Sequence, residues 1–381
     1  MTLCIVDAGP GPRTHALVIG IGGYDHLRGG AGTPLPNLRQ YGNPGQLTSP
    51  PRSALAIATA LQSPELDWQV PLGTVDLLVS TAPGDRIPSG DGAQFGPVTR
   101  NAIQKAFDAW WQRCNAEGNV AFFYVAGHGL QGNRPMVLAS DFGQSQIQPW
   151  LQAFDVNETL GGLTANKAQT QVFLVDACRE TKAKNVEVPN APGLGLCTQD
   201  LRQPDNRVYG LSIMATSRGR RAYGAIKQPS YFAKAVIAGL EGGAAQKADG
   251  QFWITTGKLS ERFFTLMDFV GADKYAQKPE PMPRRTFRLA RLHSAPPAKL
   301  QFACCPDEAT PLAELAWRQG ALAQRRLQRS PEAWTVDVDS GLCFVSATFT
   351  GGEYKDHEDQ YVIVEPPLTC ERVECERVVV T

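Results

Sequence analysis

The sequence lacks net charge: 37 Lys and Arg balance 37 Asp and Glu over 381 residues. That excludes a protein-wide attraction to nucleic acid or an anionic membrane and leaves only local patches. Long hydrophobic runs are also missing. The longest, at 16–21 and 120–126, fall far short of the roughly 20 residues a spanning helix needs. No basic stretch precedes an apolar one at the start (Met1-Thr2-Leu3-Cys4), so a cytoplasmic protein is expected, with no membrane partner. Internal repeats, low-complexity tracts, a P-loop and a zincin motif are absent. Gly20-Ile-Gly-Gly-Tyr-Asp25 opens like a dinucleotide fingerprint but carries Asp at its sixth position. Histidine is scarce, with five in the chain, which makes the context of each one informative.

The residues that are present describe an ordinary globular protein. With 43% hydrophobic and 19% charged residues, wholesale disorder is excluded. At about 150 residues per domain the length suggests two. Nine cysteines, an odd number spread along the chain, read as reduced thiols rather than a disulfide framework.

Residues 15–21 (HALVIGI) form a short apolar run ending in glycine, the mark of a buried parallel strand. Residues 29–51, dense in Gly, Pro and Asn, predict an irregular surface insertion, and 53–61 a helix. A strand is expected at 75–80. Thr99 is placed to cap a helix running to about Cys114, which buries Ile103, Phe107 and Trp110 or Trp111. The runs 120–126 (VAFFYVA) and 171–175 (QVFLV) do not alternate, so both read as interior strands. A strand at 211–215 and a helix at 231–240 follow. Alternation of this kind predicts an α/β fold, a mostly parallel sheet with helices on both faces.

Composition changes at the Pro-containing stretch near His293. We therefore expect a domain over 1–292, a linker over 293–298 and a small β-rich, sandwich-like domain over 299–381. In the last, residues 310–329 read as a helix with Pro311 in its first turn and Arg318, Arg325 and Arg329 along one face. Strands are expected at 334–339, 342–349, 361–364 and 373–380.

Two side chains stand out chemically. His128 lies between Gly127 and Gly129 directly after one buried run, and Cys178 follows the other in Asp176-Ala-Cys-Arg179. Ligands of open parallel sheets bind outside the carboxyl ends of the strands. If these strands are neighbours, an imidazole and a thiol reach one cleft. That pair suits nucleophilic acyl transfer, with the backbone N–H groups of Gly129 and Cys178 available to an oxyanion. Singly, a buried Cys is usually a small hydrophobe and a lone His a satisfied core residue. Their joint position at strand ends separates them from that ordinary case.

His128 and Cys178 are 50 residues apart, and a caspase Cys has its His about 50 residues upstream. From about residue 15 to 291 the chain resembles the caspase/metacaspase superfamily of cysteine peptidases, particularly its bacterial members. The likeness rests on HALVIGI, Thr99-Arg-Asn-Ala-Ile103, the GHG and DACR motifs, and Pro229-Ser-Tyr-Phe-Ala-Lys-Ala235.

The resemblance implies that Cys178 is the nucleophile and His128 the general acid/base. Asp176 stands where caspases have Gln and metacaspases Asp, which there lines the primary specificity pocket and favours Arg or Lys. Tyr223 corresponds to a substrate-binding aromatic. Gly224 takes the place of the caspase Arg that binds substrate Asp, so Asp specificity is not expected. A shifted alignment of Arg218, Arg220 or Arg221 would restore a basic wall. Ser53-Ala54 replaces the Asp-Ala that relatives carry at this helix. The stretch 180–209 corresponds to the linker cut when caspases mature, and Lys182, Lys184, Arg202 and Arg207 suit a peptidase of basic preference.

No cofactor is expected. Asp85 and Asp91 bring calcium to mind through some metacaspases, yet no ligand spacing supports it, and Cys304, Cys305, Cys343, Cys370 and Cys375 match no zinc pattern. The expectation is a caspase-like endopeptidase acting on protein substrates in a bacterial stress, cell-death or defence pathway. Its C-terminal domain would recruit a substrate, regulator or activating protease. Two other readings stay open: a non-catalytic caspase-fold scaffold, and a Cys hydrolase of a small amide.

Overall fold

Strands that are buried at every position must be covered on both faces, and three of them build the centre of the main sheet. A computed structural model describes residues 2–7, 9–87, 95–179, 194–198, 209–275, 277–326 and 328–378. Seven strands make up that sheet: β1 (Thr2–Ile5), β2 (Thr14–Ile21), β3 (Leu72–Ser80), β4 (Val120–Gly127), β5 (Thr170–Ala177), β6 (Tyr209–Met214) and β7 (Glu280–Pro283). Their spatial order is β1-β3-β2-β4-β5-β6-β7. The inner five run parallel, and β1 and β7 close the edges antiparallel. Every residue of β2, β4 and β5 is buried.

The helices are α1 (Ser49–Leu61), α2 (Arg100–Cys114), α3 (Val156–Gly162), α4 (Tyr231–Ala238) and α5 (Thr256–Phe269). Because side chains alternate along a strand, Ala16, Val18, Phe122 and Leu174 face one core with α1, α4 and α5. Leu17, Ile19, Phe123 and Phe173 face the other with α2, and the last two rings stack at 4.6 Å. Thr99 caps α2 as expected, accepting the Ala102 N–H at 3.1 Å. Helix α1 starts earlier than residue 53, because Pro50 and Pro51 occupy a first turn whose N–H groups have no helical partner anyway. Among the described residues no helix is long and apolar enough to cross a membrane.

The C-terminal region is β-rich, and its buried residues from Ala298 to Cys375 form a core of their own. Three strands (Trp334–Val338, Ala298–Cys305, Leu368–Glu374) make one sheet and four (Leu322–Arg326, Glu314–Gln319, Gly341–Thr348, His357–Val364) another.

The helix expected over 310–329 is not there. A short 3-10 turn, Asp307–Leu312, is followed by two strands joined at Gly320-Ala321. Leu315 and Trp317 alternate inward, and Gly320 has φ +58, the left-handed geometry a two-residue hairpin demands. Arg318 and Arg325 therefore sit on separate strands rather than along one helical face. This region meets α5 through Arg262, which is buried and pairs with Glu365 at 2.6 Å.

Candidate active site

The register of the sheet sets the site. Gly127 on β4 is the parallel partner of Ala177 on β5, so His128 and Cys178 leave adjacent strands at the same level. Adjacent strands lie about 4.8 Å apart, so the two residues emerge side by side. Both line one cavity of about 540 Å³, together with Gln46, Ser49, Asp176, Arg221, Tyr223 and Gly224.

His128 is held from three directions. Its backbone N–H donates to the Tyr24 hydroxyl at 2.7 Å, and the two rings lie 4.9 Å apart. Its Nε2 lies 2.7 Å from the Gly45 carbonyl oxygen. A carbonyl only accepts, so Nε2 carries the proton and the lone pair of the neutral ring sits on Nδ1. Burial pulls the pKa of His128 down to about 4, against a smaller upward pull from the Gly45 carbonyl. The imidazole is therefore a neutral base near pH 7.

Gly45 and Tyr24 belong to one clamped loop. The Gln46 side chain accepts the Tyr24 N–H at 2.9 Å and donates to the carbonyls of Tyr24 and Arg28 at 2.9 and 3.2 Å. The segment 29–51 is thus more than the surface insertion its composition predicts, because it returns to the sheet and supplies the carbonyl that orients His128. Sequence reading missed Tyr24, Gly45 and Gln46. The one available signal was the position of Tyr24 just beyond the carboxyl end of a buried parallel strand.

Cys178 is half-buried, and the Ala222 N–H donates to its Sγ at 3.3 Å. The thiol in turn donates to the Ala222 carbonyl oxygen at 3.7 Å, so Ala222 holds the sulfur through both of its backbone groups. Arg179, next in the chain, binds Gln131 at 2.8 Å, the Thr216 carbonyl at 3.3 Å and the Glu280 carboxylate, so it ties together the loops around Cys178. Gly129 lies opposite Val137 of the next hairpin. The Leu138 N–H donates to the His128 carbonyl at 3.0 Å, which leaves the Gly129–Val137 pair at a non-hydrogen-bonded position with the Gly129 N–H turned away from that partner.

Asp176 lies 5% exposed in the cavity wall. Its Oδ2 accepts the Tyr124 hydroxyl at 2.7 Å and the Ser230 hydroxyl, while Ser230 also caps α4 by accepting the Ala233 N–H at 2.9 Å. Burial pushes the Asp176 pKa up to about 6, with both hydrogen bonds opposing the rise. Tyr223 lines the same cavity and stacks on Tyr275 at 5.0 Å, with its N–H bonded to Gln277 at 3.0 Å. Of the three arginines in the preceding loop, Arg221 is a lining residue.

The expected cleavage stretch falls mostly outside the described residues, which omit 180–193 and 199–208 with Lys182, Lys184, Arg202 and Arg207. Between those gaps the chain is anchored. Leu196 is buried and its N–H donates to Thr159 at 3.0 Å, and the Gly195 carbonyl accepts from Arg100 at 3.0 Å. Asp91 also lies outside the described residues, and Asp85 is paired with Arg52 at 2.7 Å. Among the described residues no group of three or more His, Cys, Asp or Glu is arranged to hold a metal.

Residues 13–286 match the family described as the caspase domain. An uncharacterized protein of Sinorhizobium fredii is 22% identical over 291 residues, which cover 71% of this chain and 83% of that protein. A probable protease of a Desulfuromonadales bacterium is 26% identical over 200 residues, or 49% of this chain but only 23% of the relative. Among solved structures, caspase-1 from Spodoptera frugiperda is similar over 73% of this chain and 89% of its own, at 13% identity and a TM-score of 0.41.

Proposed function

We propose, from the premise that the chain belongs to the caspase-domain family, that it is a cysteine endopeptidase using Cys178 and His128. The observation that carries this is the Gly127–Ala177 register, which sets an oriented neutral imidazole beside a thiol in one cavity.

The chemistry follows from the proton inventory. Nε2–H of His128 is engaged by Gly45, so Nδ1 takes the Cys178 proton. The thiolate attacks the scissile carbonyl carbon, and the backbone N–H groups of Gly129 and Cys178 receive the developing oxyanion. His128 then returns the proton to the leaving amine, and water, deprotonated by the same imidazole, hydrolyses the thioester.

Asp176 supports cleavage after Arg or Lys, because a buried carboxylate held by neutral donors gains most from a cationic guest. Tyr223 completes the substrate wall. The basic residues of 180–209 suit cutting of the enzyme's own chain as an activating step. A role in bacterial stress, cell death or defence belongs to the same reading, with the C-terminal region recruiting a substrate, regulator or activating protease.

The test is turnover of fluorogenic peptides ending in Arg, Lys or Asp by the wild type and Cys178→Ala, before and after limited proteolysis. Turnover of the basic peptides that disappears in Cys178→Ala is expected. Absence of any Cys178-dependent turnover would sink the peptidase reading, and turnover confined to Asp peptides would transfer the specificity to Arg221.

A further inference from the structure

Ser49, the first residue of α1, lines the cavity with Asp176. Its hydroxyl oxygen is buried and makes no hydrogen bond to any described residue. A buried hydroxyl without a partner is costly, so a native structure that keeps one calls for an explanation. The other hydroxyls around it are occupied. Thr48 accepts the Lys227 N–H at 3.0 Å, and Ser230 is held between Asp176 and Ala233.

Gly224 packs directly against Ser49. A Cβ on Gly224 would come within 2.4 Å of Ser49 Oγ and 3.3 Å of Ser230 Cα. A side chain at 224 would therefore press on Ser49 and on the backbone of Ser230. With glycine there, one wall of the cavity presents a carboxylate and an unpaired hydroxyl.

The carboxylate by itself is an incomplete host. Among the described residues both side-chain donors to Asp176 end on Oδ2, which leaves Oδ1 to a guest. A guanidinium brings five N–H donors in a rigid fork, more than one carboxylate oxygen satisfies, whereas an ammonium is a point charge on a flexible stem. We infer that Ser49 determines specificity, accepting a second guanidinium N–H beside Asp176, so that the site takes Arg in preference to Lys. This rests on the reading of Asp176 as the primary pocket charge and adds to it a residue that separates two cations of equal charge.

The experiment uses the full chain with Cys178→Ala, which removes turnover and leaves equilibrium binding. Fluorescence anisotropy compares two labelled peptides that differ only in Arg or Lys before the scissile bond. The Arg peptide is expected to bind several-fold more tightly. Adding Ser49→Ala should weaken Arg about tenfold, the loss of one charge-assisted hydrogen bond, and change Lys by less than about twofold. Ser49→Thr, which keeps the hydroxyl, should retain the preference. Equal weakening of both peptides, or an unchanged Arg affinity, would overturn the role of Ser49. Asp176→Asn separates this from the underlying reading: it should weaken both peptides together, and if it moves neither, the basic pocket itself fails whatever Ser49 does. Failure of the Arg peptide to bind at all would overturn both.

Discussion

A Cβ placed on Gly129 would lie 2.3 Å from the carbonyl oxygen of Cys178. The backbones that follow His128 and carry Cys178 are therefore in direct contact, and the same Cβ would meet Ala177 at 2.9 Å. Gly129→Ala must push β4 and β5 apart at the point where they deliver His128 and Cys178. Overpacking of this kind costs about 1–3 kcal/mol. We expect a lower melting temperature and at least about a tenfold loss of kcat, read by thermal denaturation and peptide turnover. Wild-type kcat in Gly129→Ala would show that the contact is not used.

Gln46 reaches His128 only through the backbone it clamps. Gln46→Ala removes three hydrogen bonds from the loop that carries Tyr24 and Gly45. The imidazole then loses its fixed orientation, while the cavity keeps its charge. A fall in kcat of about tenfold with KM within twofold is expected, one hydrogen bond's worth of positioning. A rise in KM with kcat intact would place Gln46 in substrate binding instead.

Two titrating groups of the site, His128 and Asp176, have separate pH ranges. His128 is lowered to about 4 and Asp176 raised to about 6. The base is thus neutral well below pH 6, whereas the pocket carboxylate ionises only near it. For an Arg peptide, kcat/KM should rise with pH through about 6, and the rise should appear in KM. Asp176→Asn should abolish that limb. A limb that persists in Asp176→Asn would assign it to another group.

Stability should move in the opposite sense to binding. The Asp176 pKa is higher in the folded protein than the usual 3.8, so deprotonation penalises the native state. The penalty develops as pH rises from about 4 to 6 and is complete above that, of order 2–3 kcal/mol at about 1.4 kcal/mol per unit. Asp176→Asn still accepts from Tyr124 and Ser230. It should melt several degrees higher than wild type at pH 8, with the gap closing near pH 4. A constant gap across that range would mean that charge burial is not its cause.

Much of the frame was legible because it is local. The runs of β4 and β5 announce two-sided burial, Thr99 announces a helix start, and GHG and DACR mark strand ends. The hairpin at 314–326 was misread because Ala-, Leu- and Arg-rich sequence suits a helix. What opposed it was the inward alternation of Leu315 and Trp317 and one left-handed glycine, features whose weight comes from a partner strand at 341–348. The loop before α1 is irregular and mostly at the surface, as expected, and only its contact with His128 went unread. Gly and Pro predict irregular backbone, and nothing in them says where a carbonyl will point.

Read from its residues, the chain is α/β with zero net charge, and one histidine and one cysteine lie just beyond buried strands. Tertiary structure alone decided that those strands are neighbours in the Gly127–Ala177 register, that Gly45 fixes which imidazole nitrogen carries the proton, and that Asp176 is buried on Tyr124 and Ser230. The division has a physical cause. Burial and capping depend on residues a few positions apart, whereas strand register, the ring's tautomer and a carboxylate's desolvation depend on groups brought together from distant parts of the chain.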